Sequence, residues 1–135
     1  SFLYRDDYLA RLPETILLRA EVKWRLGDNA GAAADINKLR ERAQCGYMVM
    51  APDVNLDLIL DERARELISE ENRRMTLVRT NTLAERIKLN GDMEPAAPSN
   101  KVITGFDANI HTLLPIPLTE IQLNKDGDLK QNPGY

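Results

Sequence analysis

Few side chains in this 135-residue sequence could carry out acid–base or nucleophilic chemistry. His111 is the only histidine and Cys45 the only cysteine, and the sequence ties no serine or cysteine to His111 as a nucleophile. Glu70 and Glu71 could be imagined as the carboxylate pair of a glycosidase. Adjacent helical residues point about 100° apart, so these two would not face one bond. We therefore predict no catalytic residue and no enzymatic activity.

The sequence predicts no metal site and no cofactor. Asp126, Gly127 and Asp128 resemble part of a calcium-binding loop. The further oxygen ligands and the terminal glutamate of such a loop are missing, so we expect a turn. The single cysteine allows neither an internal disulfide nor a cysteine cluster for a metal.

The strongest predicted element is one long helix over residues 56 to 79. Asn55 suits the N-cap, and Val54 and Ile59 occupy the two positions of a hydrophobic staple. Apolar residues recur at steps of three and four: Leu56, Ile59, Leu60, Ala64, Leu67 and Ile68. The other face carries acids placed three or four residues before arginines: Asp61–Arg65, Glu62–Arg65, Glu70–Arg73 and Glu70–Arg74. Such spacing favours ion pairs along an exposed helix.

A helical hairpin is predicted for residues 9 to 43. Gly27 supplies the end of the first helix and Asp28 the cap of the second, and so short a link favours antiparallel helices. The apolar faces are Leu9, Leu12, Ile16, Leu17, Ala20 and Trp24, then Ala32, Ile36, Leu39 and Ala43. The pair resembles a tetratricopeptide-type hairpin at Ala20, Trp24, Gly27, Asp28 and Ala33.

The remaining sequence predicts connectors and one short helix. We expect Tyr47, Met48, Val49 and Met50, in the connector 44–55, to pack under the helices; a ligand-facing Tyr47 is the alternative. Thr82 and Glu85 form a capping-box pattern before a short helix, so 56–89 is predicted to be helical apart from its turn. Residues 91–109 are rich in Gly, Pro, Asn and Asp and predict an irregular loop.

An extended tail is predicted for residues 110 to 135. Pro115 and Pro117 exclude a long helix, Thr119 and Glu120 could open a single helical turn, and the last residues predict a final turn. We expect the tail's apolar side chains to be buried: Leu113, Leu114, Ile116, Leu118, Ile121 and Leu123.

Two ordered motifs resemble the SusD-like (SusD/RagB) family of outer-membrane glycan-binding lipoproteins. The long helix matches its signature at Ile59, Leu60, Glu62, Arg63, Glu66, Leu67, Glu70, Arg73, Leu77 and Arg79. It departs from that signature at Glu71, Met75 and Thr76. The tail matches at Leu113, Leu114, Pro115, Ile116, Pro117, Glu120, Ile121, Asn124, Leu129, Gln131, Asn132, Pro133, Gly134 and Tyr135.

The resemblance implies a mainly α fold, a SusD-like α-α superhelix in which a tetratricopeptide-like hairpin and the long helix are closed by the tail. It implies a lipoprotein of the cell outer membrane, anchored through an upstream cysteine, that captures oligosaccharides for a SusC-like TonB-dependent transporter. This segment would be mainly scaffold. Residues assigned to ion pairs and packing rather than to ligand are Glu62, Arg63, Glu66, Glu70, Arg73 and Arg79.

Ligand-binding residues cannot be assigned from the sequence, because only 5% of it is aromatic. Trp24 is expected in the hairpin and Tyr135 in the terminal turn. The weak candidates left are Tyr4, Tyr8, Tyr47 and Phe106. In the family, glycan contacts come mostly from loops that precede this region.

Composition limits the other possibilities. With 43% apolar residues the chain is enough for a single domain, 1–135. The net charge of −3, with scattered basic residues, argues against nucleic acid as a partner. No apolar run approaches the ~20 residues of a membrane span. The chain starts at Ser1, so we expect a processed protein or the C-terminal part of a longer one. An intracellular helical-repeat adaptor remains the alternative, supported by the hairpin.

Overall fold

The computed structural model describes residues 10–90, 106–125 and 127–135, and all regular structure in these ranges is helical. The predicted mainly α fold is thereby confirmed. Two compact units divide the chain, residues 1–71 (unit 1) and 72–135 (unit 2), so the single domain stays a prediction. The helices are α1 Leu12–Arg25, α2 Asn29–Arg42, a 3₁₀ helix Ala51–Asp53, α3 Leu56–Glu66, α4 Arg73–Arg79, α5 Leu83–Asn90, α6 Ala108–His111 and α7 Leu118–Leu123.

The turn between α1 and α2 forms as predicted. Gly27 has a φ of +83°, which lets its amide and that of Asp28 reach back to the carbonyls of Trp24 and Lys23, both at 2.9 Å. The Asp28 carboxylate then accepts a hydrogen bond from the Gly31 amide at 2.8 Å and caps α2. A glycine and an aspartate thus reverse the chain without tertiary help.

The core of unit 1 lies where α1 packs against α2 and α3. Its buried apolar residues are Leu17, Ala20, Ala32, Ala33, Ile36, Leu39, Val49, Val54, Ile59 and Leu67. Two predicted members are not in it: Leu12 is 70% exposed at the start of α1, and Ala43 is exposed just after α2. Leu9 lies outside the described residues.

The prediction of a single long helix over residues 56–79 is wrong. The predicted Asn55 cap holds, its side chain accepting from the Leu58 amide at 2.8 Å, but α3 ends at Glu66. Ser69 then adopts a φ of +63°, and the Arg63 Nε donates to Glu71 Oε1 at 2.6 Å. Eight residues along a continuous helix span about 12 Å, so the turn brings this pair together.

The break in the helix changes which residues of the predicted apolar stripe are buried. Leu67 is buried, but Ile68 in the turn is 75% exposed and Ala64 is exposed as well. Asn72 caps a new helix, α4, by accepting from the Met75 amide at 3.3 Å. The predicted staple is consistent with the structure, since Val54 and Ile59 both join the core.

Of the four apolar side chains of the connector 44–55 that were predicted to pack under the helices, only one is buried. Val49 is 3% exposed, and its amide and carbonyl both bond the Asn37 side chain, at 2.8 and 3.0 Å. The prediction is wrong for Tyr47 and Met50, which are 64% and 66% exposed, and for Met48, which is partly exposed. A polar clamp by Asn37, rather than burial of the whole segment, holds the connector.

Unit 2 begins with α4 and α5, joined by a turn in which the buried hydroxyls of Thr80 and Thr82 lie 2.8 Å apart. Helix α5 lies where the sequence predicts it. The predicted loop 91–109 falls outside the described residues as far as 105. Its last residues differ from prediction, because Asp107 caps α6 by accepting from the Asn109 amide.

The tail is extended through Pro115 and Pro117 and includes the predicted helical turn as α7. Gln131 clamps it: its Oε1 accepts from the Ile116 amide at 2.7 Å and its Nε2 donates to the Ile116 carbonyl at 2.8 Å. The Asn132 side chain donates to the Leu114 carbonyl at 2.7 Å. The side-chain amides of Gln131 and Asn132 thus provide the backbone of the tail with hydrogen-bond partners that a neighbouring β-strand would otherwise supply.

The predicted burial of the tail's apolar side chains is also wrong. Ile116 and Ile121 are only half-buried. The leucines are more exposed: Leu113 46%, Leu114 64%, Leu118 65% and Leu123 69%. The backbone clamp determines the tail's course without covering these side chains.

Candidate functional site

The two carboxylates considered for catalysis are held in separate ion pairs. Glu70 pairs with Arg11 from the residues before α1, while Glu71 pairs with Arg63 of α3. The predicted partners of Glu70 were Arg73 and Arg74, but the Arg74 side chain donates to the carbonyls of His111 and Leu113. Both residues lie in the turn after α3 rather than on the predicted continuous helix, and each is bound by an arginine.

The His111 side chain makes structural contacts near the start of α6. Its Nδ1 accepts a hydrogen bond from the Asp107 amide at 2.7 Å, and its ring lies 5.7 Å from that of Phe106. Cys45 is exposed, with its Sγ 3.6 Å from the Tyr47 carbonyl oxygen. Among the described residues no three metal-ligating side chains gather in one place, and Asp126 lies outside those residues.

The signature residues of α3 tie it to α1 and α2. Glu62 accepts from Arg40 of α2 at 2.7 and 3.1 Å and from Arg65 at 2.8 Å. Burial would raise the pKa of Glu62, but these hydrogen bonds outweigh it and lower the pKa. The predicted Glu62–Arg65 pair is therefore present, with an unpredicted partner from the neighbouring helix.

Glu66 and Arg63 make further links. Glu66 pairs with Arg42 of α2 and with Arg11, at 3.4 Å for the second pair. Arg63 is buried and lies 3.6 Å from Glu14 of α1. These contacts support the assignment of Glu62, Arg63, Glu66 and Glu70 to structural ion pairs; for Arg73 and Arg79 it stays a prediction.

A second charged cluster links α1 to α2. Asp35 is fully buried, and its carboxylate bonds Arg19 through both oxygens, at 2.7 and 2.8 Å, and Lys23 at 2.9 Å. Burial alone would raise the pKa of Asp35, but these hydrogen bonds lower it to about 2. The cluster keeps Asp35 ionised, as a structural link between the helices.

An open cleft of about 300 Å³ lies between α2 and α3. Leu39 and Ala43 supply apolar wall, and Cys45 lies in the connector that follows α2. The charged lining consists of Arg40, Arg65, Glu62 and Glu66. Two positive and two negative side chains cancel, so the cleft has no net charge. Sequence reasoning missed the cleft, because the pairs that join its two helices, Arg40–Glu62 and Arg42–Glu66, link residues more than twenty positions apart.

The aromatic candidates are scattered. Tyr47 is exposed, and the Arg40 guanidinium lies 5.6 Å from its ring centroid. Trp24 packs against the unit 1 core as expected, and Phe106 is half-buried beside His111. Tyr4 and Tyr8 lie outside the described residues. Arg40 is therefore the contact that joins an exposed aromatic ring to the cleft.

Comparison with known proteins gives consistent results. The model of the SusD family matches residues 4–135. The starch-binding protein SusD of Bacteroides thetaiotaomicron is 35% identical over 130 residues, and SusD-like protein P25 of Formosa agariphila is 34% identical over 131. These alignments cover 96% and 91% of this chain. Among solved structures, none matches significantly.

The chain is short beside these relatives, since the two alignments span 22% and 23% of their lengths. No helix in the part of the chain that the structure describes is long and apolar enough to cross a bilayer. The family match covers nearly the whole sequence, including both predicted motifs. The chain therefore belongs to the SusD family.

Proposed function

We propose that the protein is a nutrient-binding accessory protein that captures oligosaccharides at the cell surface. The main support for this proposal is the family match over residues 4–135, together with 35% identity to a relative named for starch binding. A binding role also agrees with the site chemistry, because the candidate catalytic carboxylates, Glu70 and Glu71, are held by arginines.

In the proposed mechanism this region is mainly scaffold for a protein of its relatives' length. Ion pairs across α1, α2 and α3 hold unit 1 rigid, and rigid scaffolds support binding loops. The protein is anchored in the outer membrane by a lipid on an upstream cysteine and delivers its ligand to a SusC-like TonB-dependent transporter. The adaptor alternative has only the α1–α2 hairpin in its favour.

Calorimetric titration with plant, host and microbial oligosaccharides tests the proposal. The 135-residue chain and a version extended to the length of its relatives are titrated in parallel. We expect the extended protein to bind one class of oligosaccharide and to co-purify with a transporter. An extended protein that is folded but binds no oligosaccharide would show that the proposed function is wrong.

A further inference from the structure

The tail of unit 2 exposes apolar side chains along a backbone whose course is fixed. Four leucines, called here the leucine row, are between 46% and 69% exposed: Leu113, Leu114, Leu118 and Leu123. Gln131 and Asn132 nevertheless hold the backbone of Ile116 and Leu114 in place. Apolar side chains that are exposed along one stretch of surface mark a place where another surface binds. The leucine row therefore has the properties of a preformed docking surface.

The backbone of the tail determines how a partner can bind there. Pro115 and Pro117 have no amide hydrogen to donate. Gln131 already bonds both the amide and the carbonyl of Ile116, and the carbonyl of Leu114 is bonded as well. Little of this backbone is left to pair with an added β-strand. A partner must instead contact the leucine side chains, and the apolar face of an amphipathic helix suits them.

The length of the relatives indicates which surface covers the leucine row. The two alignments leave more than three quarters of each relative unmatched, although they cover more than nine tenths of this chain. We propose that an amphipathic helix of the region preceding residue 1, in a protein of its relatives' length, packs on the leucine row. A region of the same chain meets the tail at a high effective concentration, which favours it over a separate molecule. The inference rests on the proposed function for the presence of that region.

A cysteine placed in the leucine row measures whether the row is covered. The background carries Cys45→Ser and serine in place of any other cysteine, and Leu118→Cys is added to it. Alkylation by iodoacetamide is timed in the 135-residue chain and in the version extended to the relatives' length. Leu118 is 65% exposed, so we expect fast alkylation in the 135-residue chain. In the extended protein we expect alkylation to be about tenfold slower or more, because the thiol reacts only after local opening.

Matched variants separate covering of the leucine row from a general effect of the extension. Lys130→Cys is the control in the same tail: the Lys130 side chain is 82% exposed and lies outside the leucine row, so its alkylation rate should be the same in both proteins. Leu118→Arg gives a second measurement. We expect it to lower the melting temperature of the extended protein by several degrees and to leave that of the 135-residue chain unchanged, because only the former buries the charge. Circular dichroism verifies that each variant is folded.

Two results would overturn the inference. Equal alkylation of Leu118→Cys in the two proteins would show that the extension leaves the leucine row uncovered. Slow alkylation in the 135-residue chain that becomes fast on dilution would show that a second copy of the chain covers it. Oligosaccharide titration of the extended protein separates this inference from the proposed function. If the extended protein binds saccharide without protecting the thiol, only the inference is wrong; if it protects the thiol but binds no saccharide, only the proposed function is wrong.

Discussion

The two units of the chain hold their structure by different means. Unit 1 buries ten apolar residues in one cluster and joins its helices by ion pairs such as Arg40–Glu62 and Arg19–Asp35. In the described part of unit 2, the tail is held by side chains that bond backbone groups: Gln131 bonds Ile116, and Arg74 bonds the carbonyls of His111 and Leu113. A segment can therefore have a defined course without burying its own leucines.

The largest expected contrast is between a core residue of unit 1 and a leucine of the tail. Ile36 is fully buried, so Ile36→Ala should lower the free energy of unfolding by about 2–5 kcal/mol. Leu123 is 69% exposed, so Leu123→Ala should change it by less than about 0.5 kcal/mol. Urea denaturation measures both. Equal losses of stability in the two variants would mean that the tail is covered in solution, and the two units would then not differ in this respect.

Charged side chains of unit 1 should differ by their burial. Arg63→Met removes a guanidinium that is 2% exposed and bonds the Glu71 carboxylate, and should cost about 3 kcal/mol. Arg65→Met is the control: Arg65 is 59% exposed, and Glu62 keeps Arg40, so the cost should stay below about 1 kcal/mol. Thermal unfolding at neutral pH compares the two. Similar losses would contradict a special role for the buried pair.

The pH dependence of stability should reveal the Asp35 cluster. Its folded pKa of about 2 lies below the ordinary value of 3.8, so protonation favours the unfolded chain. The stabilisation is fully present above pH 4 and is lost as the pH falls from about 4 to 2, by about 2 kcal/mol. Denaturation between pH 6 and 2 should show this extra loss in the unchanged protein and not in Asp35→Asn. Identical slopes would contradict it.

The smallest expected effect concerns the clamp of unit 2. Gln131→Ala removes the partners of the Ile116 amide and carbonyl, and should cost about 1 kcal/mol locally. Hydrogen exchange at the Ile116 amide should become about fivefold faster at that cost. Gln122→Ala, at an exposed position, should leave that rate unchanged. Faster exchange in both variants would point to general loosening.

Local signals explain what could be predicted from the sequence. The Gly27–Asp28 turn and the Asn55 cap depend on residues within a few positions, so pattern and composition identify them. The Ser69 turn does not carry such a signal, because its φ of +63° is found in a residue that ordinarily avoids it. The Arg63–Glu71 pair that accompanies the turn exists only once the chain has reversed.

Contacts between residues far apart in the sequence could not be predicted from local patterns. The cleft needs Arg40 of α2 beside Glu62 of α3, and no spacing rule joins positions 22 apart. The exposed tail shows a prediction that went too far. Apolar residues are more stable when buried, but burial also requires another surface to cover them. The Gln131 clamp was hidden because its partner, Ile116, lies 15 residues earlier.

That separation has a consequence for the order of folding. A loop of about ten residues closes in about 10–100 ns, so Gln131 can reach Ile116, 15 positions earlier, on a timescale far shorter than that of core assembly. The tail can therefore acquire its course early, while its leucines still face water.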